Sequence, residues 1–291
     1  MLEIKPDHMY KDDFDGLLTI KEFNDRTPRI EICPAVYYKC KNLYVTWRYD
    51  ADTWEKDLFN LQCIMDELEG RIPVHLFMTY LPNARMDRPG KFAQDRETGA
   101  PYQLFTLKTF AKIINGMNFA TVTLFDPHSD VSLALLDRVV ADIDPGWNYF
   151  QILEKLEDPV AVFPDNGALK RYRKRMPKEV PKTFCEKIRD FDTQHVTGMY
   201  LFDADFVKGK DVLLIDDIIS HGYTMYLAIK ALMDCEPKSI TIFATHIEES
   251  FKDGILYQKL EEGEIKAEIY TTNSIIRKWE EVPEYFHEME A

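Results

Sequence analysis

The feature that most constrains the fold is an alternation of short apolar runs with longer stretches of helical periodicity. Apolar runs rich in β-branched and aromatic residues predict strands at LYVTW (43–47), VHLFMTY (74–80), TVTLF (121–125), VAVF (160–163), DVLLID (211–216), SITIFATH (239–246) and AEIYTTN (267–273). Helical periodicity follows in WEKDLFNLQCIMDELEG, TLKTFAKIINGM and TMYLAIKALMDCEP. Apolar strands separated by helices are typical of parallel sheets covered on both faces. We therefore predict an α/β fold in which each mostly parallel sheet is flanked by helices.

The length of the chain predicts more than one domain. The sequence has 291 residues, and a domain typically takes about 150 residues. The polar stretch DIDPGWN (142–148) combines Pro with Gly and is the best candidate for a boundary. We predict an N-terminal α/β domain over residues 1–145 and a similar C-terminal domain over residues 146–291.

Composition and charge exclude several classes of protein. With 45% hydrophobic and 30% charged residues, the chain has the composition of a soluble globular protein. Its 36 Lys and Arg against 50 Asp and Glu give a net charge of −14, which opposes binding to a nucleic-acid backbone. The scattered cysteines show no C-x-x-C spacing, so we expect reduced thiols. The charged N-terminus and the lack of a long apolar run predict a cytoplasmic protein with no membrane partner.

The strongest local signal is DVLLIDDIISHGYTM (211–225). An apolar strand ends in Asp216 and Asp217, and a loop that contains Ser, Gly and Thr leads into a helix. Backbone N–H groups at a helix N-terminus bind anions, and carboxylates at the end of a strand suit ribose hydroxyls or a metal. The pattern predicts a phosphate site at which Ser220 and Thr224 add hydroxyl donors.

Two segments in the first half contain candidate ligands for a polyphosphate. In TYLPNARMDRPGK (79–91), Arg85, Arg88 and Lys91 lie close together with Asp87, and such cations can neutralise phosphates, although a solvated loop is the alternative. In FDPHSD (125–130), an extended backbone would direct Asp126 and His128 to one side, where they could share a metal. Taken alone, the second segment favours a helix cap by Asp126 and a structural histidine.

Two segments in the second half add charged residues. In FPDNGALKR (163–171), Asp165 follows a predicted strand, and in EKIRD (186–190) Lys187 and Arg189 alternate as on a strand or an extended loop. The basic cluster LKRYRKRMPK (169–178) favours a solvated helix face, although it closely follows the Pro-Asp-Asn-Gly turn.

Together and in this order, these segments resemble the ribose-phosphate pyrophosphokinase, or phosphoribosyl pyrophosphate synthetase, family. The resemblance extends from about Phe23 to Ile276 and includes FNDRTPRIEI (23–32), ATH (244–246) and TTNSII (271–276). It implies two phosphoribosyltransferase-type domains, the first on the ATP side and the second on the ribose-phosphate side. It also implies a homo-oligomer that uses Mg²⁺ to transfer the β,γ-diphosphoryl group of ATP to the anomeric hydroxyl of ribose 5-phosphate.

The resemblance also implies roles for individual residues. Lys187 and Arg189 would stabilise charge on the transferred group, and Asp165 would lie near metal and ribose. Asp126 and His128 would belong to a magnesium and triphosphate site. The residues implied in ATP binding are Phe23, Asp25, Arg85, Asp87, Arg88 and His128, and those implied in ribose-phosphate binding are Asp216, Asp217, Ser220, His221, Gly222, Tyr223 and Thr224. The polar segment 89–103 is either a loop that closes over ATP or a passive surface loop.

The sequence departs from the family at positions that bear on substrate. His221 and Tyr223 replace small residues of the phosphate loop, and Met86, Thr27 and Asp130 also differ from the usual residues. An aromatic ring beside the 5-phosphate could stack on an adenine, which suits ADP-ribose as the acceptor. A phage branch of this family performs that transfer in NAD salvage, in which case the host cytoplasm would be the location.

Two other functions remain open from the sequence. A non-catalytic regulatory homologue should have lost several charged site residues, whereas Asp126, His128, Lys187 and Arg189 are retained. A phosphoribosyltransferase that consumes phosphoribosyl pyrophosphate needs only the second half of the chain. The charged segments of the first half therefore favour the diphosphoryl transferase over both alternatives.

Overall fold

The structure is a computed structural model and describes residues 1–7, 18–90, 102–189 and 196–291. These residues form two compact units, Met1–Ile143 and Asp144–Ala291. The stretch 142–148 is not an irregular linker, because it contributes the end of a strand and the start of a helix. Among the described helices, none combines the length and the apolar character needed to cross a bilayer.

The first unit is built on a five-stranded sheet with the order β1-β4-β5-β6-β7. Strand β1 is antiparallel to β4, and the other neighbours are parallel. A separate antiparallel hairpin consists of β2 and β3. The strands and helices of this unit are β1 (Leu2–Pro6), β2 (Leu18–Glu22), β3 (Pro28–Ile32), α1 (Ala35–Lys39), β4 (Leu43–Trp47), α2 (Trp54–Leu68), β5 (Val74–Met78), α3 (Thr106–Gly116), β6 (Thr121–Phe125), α4 (Val131–Leu135) and β7 (Val139–Ile143).

The second unit is built on a seven-stranded sheet with the order β10-β9-β8-β11-β12-β13-β14. All neighbours are parallel except β10, which is antiparallel to β9. Its strands and helices are α5 (Gly146–Leu153), β8 (Pro159–Phe163), α6 (Asn166–Tyr172), β9 (Lys182–Arg189), β10 (Val196–Leu201), β11 (Asp211–Ile219), α7 (Tyr223–Met233), β12 (Ser239–Ile247), α8 (Ile255–Glu261), β13 (Glu268–Thr272) and β14 (Phe286–Met289), with 3-10 helices at Ala204–Phe206 and Glu249–Asp253.

Strand β11 shows why an uninterrupted apolar run specifies the centre of a parallel sheet. Val212 and Leu214 are buried in one hydrophobic cluster, whereas Leu213 and Ile215 are buried in a second cluster. Successive side chains of a strand point to opposite faces, so this strand is covered on both sides. The predicted α/β class with mostly parallel sheets is confirmed, and the acidic residues of β11 follow its apolar part.

The predicted strands agree with the observed ones to within a few residues. LYVTW and TVTLF coincide with β4 and β6, whereas β11 continues beyond the predicted Asp216 to Ile219. The main omissions are the edge strands β1, β7, β10 and β14, the β2–β3 hairpin and the first half of the interior strand β9. Edge strands contact the sheet on one side only, so their sequences need not form continuous apolar runs.

Candidate active site

The acidic pair lies near the end of the central strand of the second unit. Asp217 is buried, and Arg171 of α6 lies 3.7 Å from its Oδ2 atom. Burial, followed by the charges of Asp217 and Asp165, raises the pKa of Asp216 well above its usual range. Two neighbouring carboxylates therefore disfavour the charged form of Asp216 at this edge of the sheet.

The loop after β11 is held in a tight conformation. Gly222 has a φ of 75°, and a Cβ at this position would lie 2.4 Å from the Cβ of Leu256. A Cβ on Gly254 would lie 2.2 Å from the carbonyl oxygen of His221. Both close approaches need glycine, and they fix the backbone of the loop against the segment before α8.

The predicted phosphate ligands lie in this loop and in the first turn of α7. Ser220 Oγ lies 3.0 Å from Ser250 Oγ and 3.2 Å from His221 Nδ1. Tyr223 is the first residue of α7 and is 49% exposed, and Thr224 is partly buried in the first turn. The loop thus leads directly into a helix N-terminus, where backbone N–H groups can bind an anion.

Asp165 and Lys187 form an ion pair beside this edge. Asp165 precedes α6, and its Oδ1 accepts hydrogen bonds from the backbone N–H groups of Gly167 and Ala168 at 2.9 and 3.1 Å. Lys187 Nζ donates to Asp165 Oδ2 at 2.9 Å. Burial alone would raise the pKa of the Asp165 carboxyl, but Lys187 and the two N–H groups lower it below its ordinary value. Both residues line a cavity of about 370 Å³.

The prediction for Arg189 is tested only in part. Segment 186–189 is confirmed as strand, since β9 ends at Arg189. The side chain of Arg189 lies outside the description, as do residues 190–195. In the first half, Lys91 and most of the candidate loop 89–103 also lie outside it, because residues 91–101 are not described.

In the first unit, a hydrogen bond connects two of the predicted segments. Ser129 Oγ donates to Asp87 Oδ2 at 2.7 Å, so the loop after β5 is tied to the loop after β6. Arg85 and Arg88 are exposed in the first of these loops. His128, in the second loop, is partly buried. Arg85 and Arg88 are therefore accessible to a ligand. They lie in the same loop as Asp87, whose carboxylate is held by Ser129.

The local prediction for Asp126 is wrong in two respects. Its φ is 42°, so the backbone is not extended and the alternation of strand side chains does not apply. Asp126 also caps no helix, because the residue before α4 is Asp130. Asp126 is fully buried, and its N–H donates to the carbonyl of Ile143. Such a conformation often occurs at functional sites.

Phe23 and Asp25 lie in the turn between β2 and β3. Phe23 is 54% exposed. Asp25 Oδ1 accepts hydrogen bonds from the N–H and the hydroxyl of Thr27 at 3.0 and 2.6 Å. These bonds lower the pKa of Asp25. The carboxylate therefore stabilises its own turn, and the exposed ring of Phe23 is the group available to a ligand.

The donor set fits Mg²⁺ when phosphate oxygens complete the coordination. Within the described ranges, no three His, Cys, Asp or Glu side chains are grouped so that they alone could hold a metal ion. Mg²⁺ usually takes one or two carboxylates together with water and substrate phosphates. Asp165 in the second unit lines a cavity and can offer such a carboxylate, whereas Asp126 in the first unit is fully buried.

Arg171 is the site residue that the sequence prediction missed. It belongs to the basic cluster 169–178, which favoured a solvated face, but its side chain is mostly buried against Asp217. Arg175 of the same cluster pairs with Asp144 at 2.7 Å. The available signal was the position of Arg171 in a short helix that begins directly after Asp165.

Comparison with known proteins identifies the type of domain and the fold. A family model described as "Phosphoribosyl transferase domain" matches residues 168–288, so the second unit is a phosphoribosyltransferase-type domain. The fold of the chain resembles the crystal structure of phosphoribosylpyrophosphate synthetase from Mycobacterium smegmatis, with a TM-score of 0.72 and 20% identity over 94% of this chain and 85% of that one. Two domains of this type make up the predicted fold class, which is confirmed.

Sequence relatives define the family. The chain is 31% identical to ribose-phosphate pyrophosphokinase from Saccharolobus solfataricus over 78% of this chain and 75% of that protein. It is 30% identical to the protein of the same name from Sulfurisphaera tokodaii, over 75% and 70% of the two chains. The chain therefore belongs to the ribose-phosphate pyrophosphokinase family, whose members are ATP-dependent transferases of the diphosphokinase type.

Proposed function

We propose that this enzyme transfers the β,γ-diphosphoryl group of ATP to the anomeric hydroxyl of ribose 5-phosphate, giving phosphoribosyl pyrophosphate and AMP. The observation that supports this best is the arrangement at one edge of the second sheet. Asp216 and Asp217, the Gly222 loop and the Asp165–Lys187 pair all belong to this edge. Ligands of open α/β sheets bind at the carboxyl ends of the strands.

The ribose phosphate is held by the second unit in this proposal. Asp216 and Asp217 accept hydrogen bonds from the ribose hydroxyls, and Arg171 holds the carboxylate of Asp217 in place. The backbone of residues 220–224 and the hydroxyls of Ser220 and Thr224 bind the 5-phosphate. The ribose is thereby held through its hydroxyls and through its 5-phosphate, which fixes the position of the anomeric hydroxyl.

ATP is bound by the first unit in this proposal, through the cations Arg85 and Arg88 and the side chain of Phe23. The anomeric oxygen forms a bond to the β-phosphorus, and the bond from that phosphorus to the oxygen bridging the α-phosphorus breaks. AMP leaves with the bridging oxygen, and the hydroxyl proton is released. Lys187 and Arg189 neutralise the charge on the group in transfer.

Mg²⁺ supplies charge neutralisation and alignment of the phosphates when it is bound. Asp126 and His128 are the proposed metal ligands of the first unit, and Asp165 is the proposed metal ligand of the second unit. Asp165 is kept ionised by Lys187 and two backbone N–H groups, so it remains a charged oxygen donor. We also propose that the working form is a homo-oligomer, as the resemblance to the family implies.

ADP-ribose is a second candidate acceptor because of Tyr223. This ring stands at the start of α7, beside the proposed 5-phosphate site, and is 49% exposed. An exposed ring at this position can stack on the adenine of an acceptor whose 5-phosphate carries a second nucleotide. Transfer to its anomeric hydroxyl uses the same residues and gives ADP-ribose pyrophosphate for NAD salvage.

The test is to incubate the protein with Mg-ATP and either ribose 5-phosphate or ADP-ribose, and to detect AMP and the diphosphorylated product by mass spectrometry. Product with ribose 5-phosphate supports the first proposal. Product only with ADP-ribose supports the second, and the variant Tyr223→Gly should then lose more kcat/KM for ADP-ribose than for ribose 5-phosphate. Absence of AMP with both acceptors contradicts both proposals and favours a regulatory homologue.

A further inference from the structure

The proposed 5-phosphate loop, residues 220–224, is held by the segment that follows β12. The N–H of Glu248 donates to the carbonyl of Ile219, the last residue of β11, at 2.9 Å. Ser250 Oγ lies 3.0 Å from Ser220 Oγ. We call residues 248–254 the support segment, because its position sets the start of the loop and the orientation of the Ser220 hydroxyl.

Arg277 joins the carboxyl ends of three neighbouring strands. Its Nη1 atom donates to the carbonyl of Ile247, the last residue of β12, at 3.1 Å. Its Nη2 atom donates to the carbonyl of Thr272, the last residue of β13, at 3.1 Å, and forms an ion pair with Glu288 of β14. Since Ile247 directly precedes the support segment, Arg277 fixes the point at which that segment leaves the sheet.

The side chain of Arg277 is itself held in place. Only 4% of it is exposed, and its Cζ atom lies 5.7 Å from the ring centroid of Trp279 and 5.5 Å from that of Phe286. Burial lowers the pKa of Arg277, and the charge of Glu288 opposes this effect. A buried charge is costly unless its donors are paired. The planar guanidinium, with several N–H donors in a fixed fork, can bind two carbonyls and a carboxylate at once, whereas a lysine ammonium is a point charge.

The residues after Arg277 contact the support segment directly. The N–H of Lys278 donates to Glu249 Oε2 at 3.0 Å, and Trp279 Nε1 donates to the carbonyl of Glu249 at 3.4 Å. Lys252 Nζ donates to the carbonyl of Glu281. We call residues 277–281 the clasp, because these bonds tie them to the support segment.

We propose that the clasp positions the acceptor loop and that Arg277 is a positioning residue for the transfer reaction. Arg277 acts through the support segment, and the contact of Ser250 with Ser220 passes its effect to the loop. This inference rests on the proposed binding of the 5-phosphate by residues 220–224. Because ATP is proposed to bind in the first unit, loss of the clasp should raise KM for the acceptor and leave KM for ATP unchanged.

The first test is steady-state kinetics of the variant Arg277→Lys, which keeps the charge and loses the fork of donors. We expect KM for the acceptor that gives product to rise about fivefold, the effect of one net hydrogen bond, with kcat and KM for ATP within about twofold of wild type. In Glu288→Gln, KM for the acceptor should stay near the wild-type value. That substitution keeps both carbonyl bonds and removes only an ion pair whose carboxylate is half-exposed.

Arg138 of the first unit provides the matched control. Its Nη1 atom also donates to two backbone carbonyls, those of Asn118 and Phe119, at 3.1 and 2.8 Å. Arg138→Lys therefore removes the same kind of bridge at a place that does not contact the support segment. It should leave KM for the acceptor unchanged.

Hydrogen exchange followed by mass spectrometry, without substrate, tests the same path independently of activity. In Arg277→Lys, exchange in peptides that cover 219–224 and 247–256 should become about tenfold faster, because local opening no longer has to break the Arg277 bonds. Peptides that cover 118–138 should exchange as in wild type. If Arg277→Lys does not fold, Glu249→Ala replaces it, since Glu249 is exposed and its carboxylate accepts from the Lys278 N–H; the same changes in direction are expected.

Three results would overturn the proposal. These are unchanged exchange in 219–224 and 247–256, an equal rise of both KM values in Arg277→Lys, and a rise of the acceptor KM in Arg138→Lys as large as in Arg277→Lys. If no AMP forms with either acceptor, the proposed function fails, and exchange in 219–224 still decides whether the clasp positions the loop.

Discussion

At the scale of single residues, the paired charges of the second unit are the clearest feature. Lys187 and Asp165 are 2.9 Å apart, and Arg171 lies 3.7 Å from Asp217. A carboxylate held by an opposite charge keeps its ionised form. Each pair therefore fixes the position of a group that is proposed to contact substrate, and Lys187 also lowers the pKa of Asp165.

Replacement of Lys187 by Ala should lower kcat by about 10²–10³-fold, the range found when one charge-stabilising donor is removed. The fold should persist, because Lys187 lies at the rim of a cavity and outside the hydrophobic clusters. Steady-state kinetics measure the effect. The control is Lys170→Ala, an exposed lysine of α6; wild-type turnover in Lys187→Ala would contradict the assignment.

Cys185 should resist alkylation in the folded protein. Burial, followed by the charges of Cys235 and Asp165, raises the pKa of its thiol to about 12. A raised pKa keeps the thiol protonated at pH 8, and the thiolate is the reactive form. Iodoacetamide followed by mass spectrometry should label the partly exposed Cys33 and Cys63 first. Labelling of Cys185 at the rate of Cys33 before unfolding would show that this residue is accessible.

At the scale of secondary-structure elements, the functional loops are set by strands that end at one edge of a sheet. Strand β11 passes through both hydrophobic clusters and then carries Asp216 and Asp217 to the start of the loop. The loop turns at Gly222 in a left-handed conformation, and α7 begins at the next residue. Packing of Gly222 and Gly254 against neighbouring atoms leaves the loop little freedom.

Replacement of Gly222 by Ala should disrupt this loop. A residue other than Gly at positive φ costs about 1–2 kcal/mol, and the added Cβ would also lie 2.4 Å from Leu256 Cβ. We expect a lower free energy of unfolding and a higher KM for the ribose-phosphate acceptor, measured by denaturant titration and kinetics.

Gly209 provides the matched control for this substitution. Its φ is 69°, and a Cβ there would have no neighbour within 4 Å. Gly209→Ala should therefore show the conformational cost without the steric clash and should leave KM unchanged. Equal effects of the two substitutions on KM would mean that packing against Leu256 does not shape the loop.

At the scale of the whole molecule, charge is the dominant constraint on function. The chain carries a net charge of −14, and both proposed substrates are phosphate anions. Local cations and a bound divalent ion must overcome this repulsion. In the proposed reaction, Arg85 and Arg88 of the first unit and Lys187 of the second supply this positive charge.

Removal of Mg²⁺ by excess EDTA should abolish AMP formation, and added Mg²⁺ should restore it. Without a cation, the negative charges of the proposed carboxylate ligands and of the ATP phosphates would repel one another. Measuring the rate of AMP formation at a series of free Mg²⁺ concentrations tests this prediction. Turnover that persists in EDTA would contradict the proposed role of the metal.

The amino-acid sequence by itself determined the α/β class, the central strands and the family. Continuous apolar runs such as β11 can be satisfied only inside a sheet covered on both faces, and the ordered charged segments follow those runs. Asp165, Lys187 and the 220–224 loop were predicted as a group by the resemblance of the ordered segments to the family.

Only the tertiary structure decided how individual polar residues are used. The burial of Arg171 against Asp217, the bond from Ser129 to Asp87 and the left-handed backbone of Asp126 depend on segments that are distant in the chain. Charge pairing is set by distance in space, whereas periodicity and motifs report only distance along the chain.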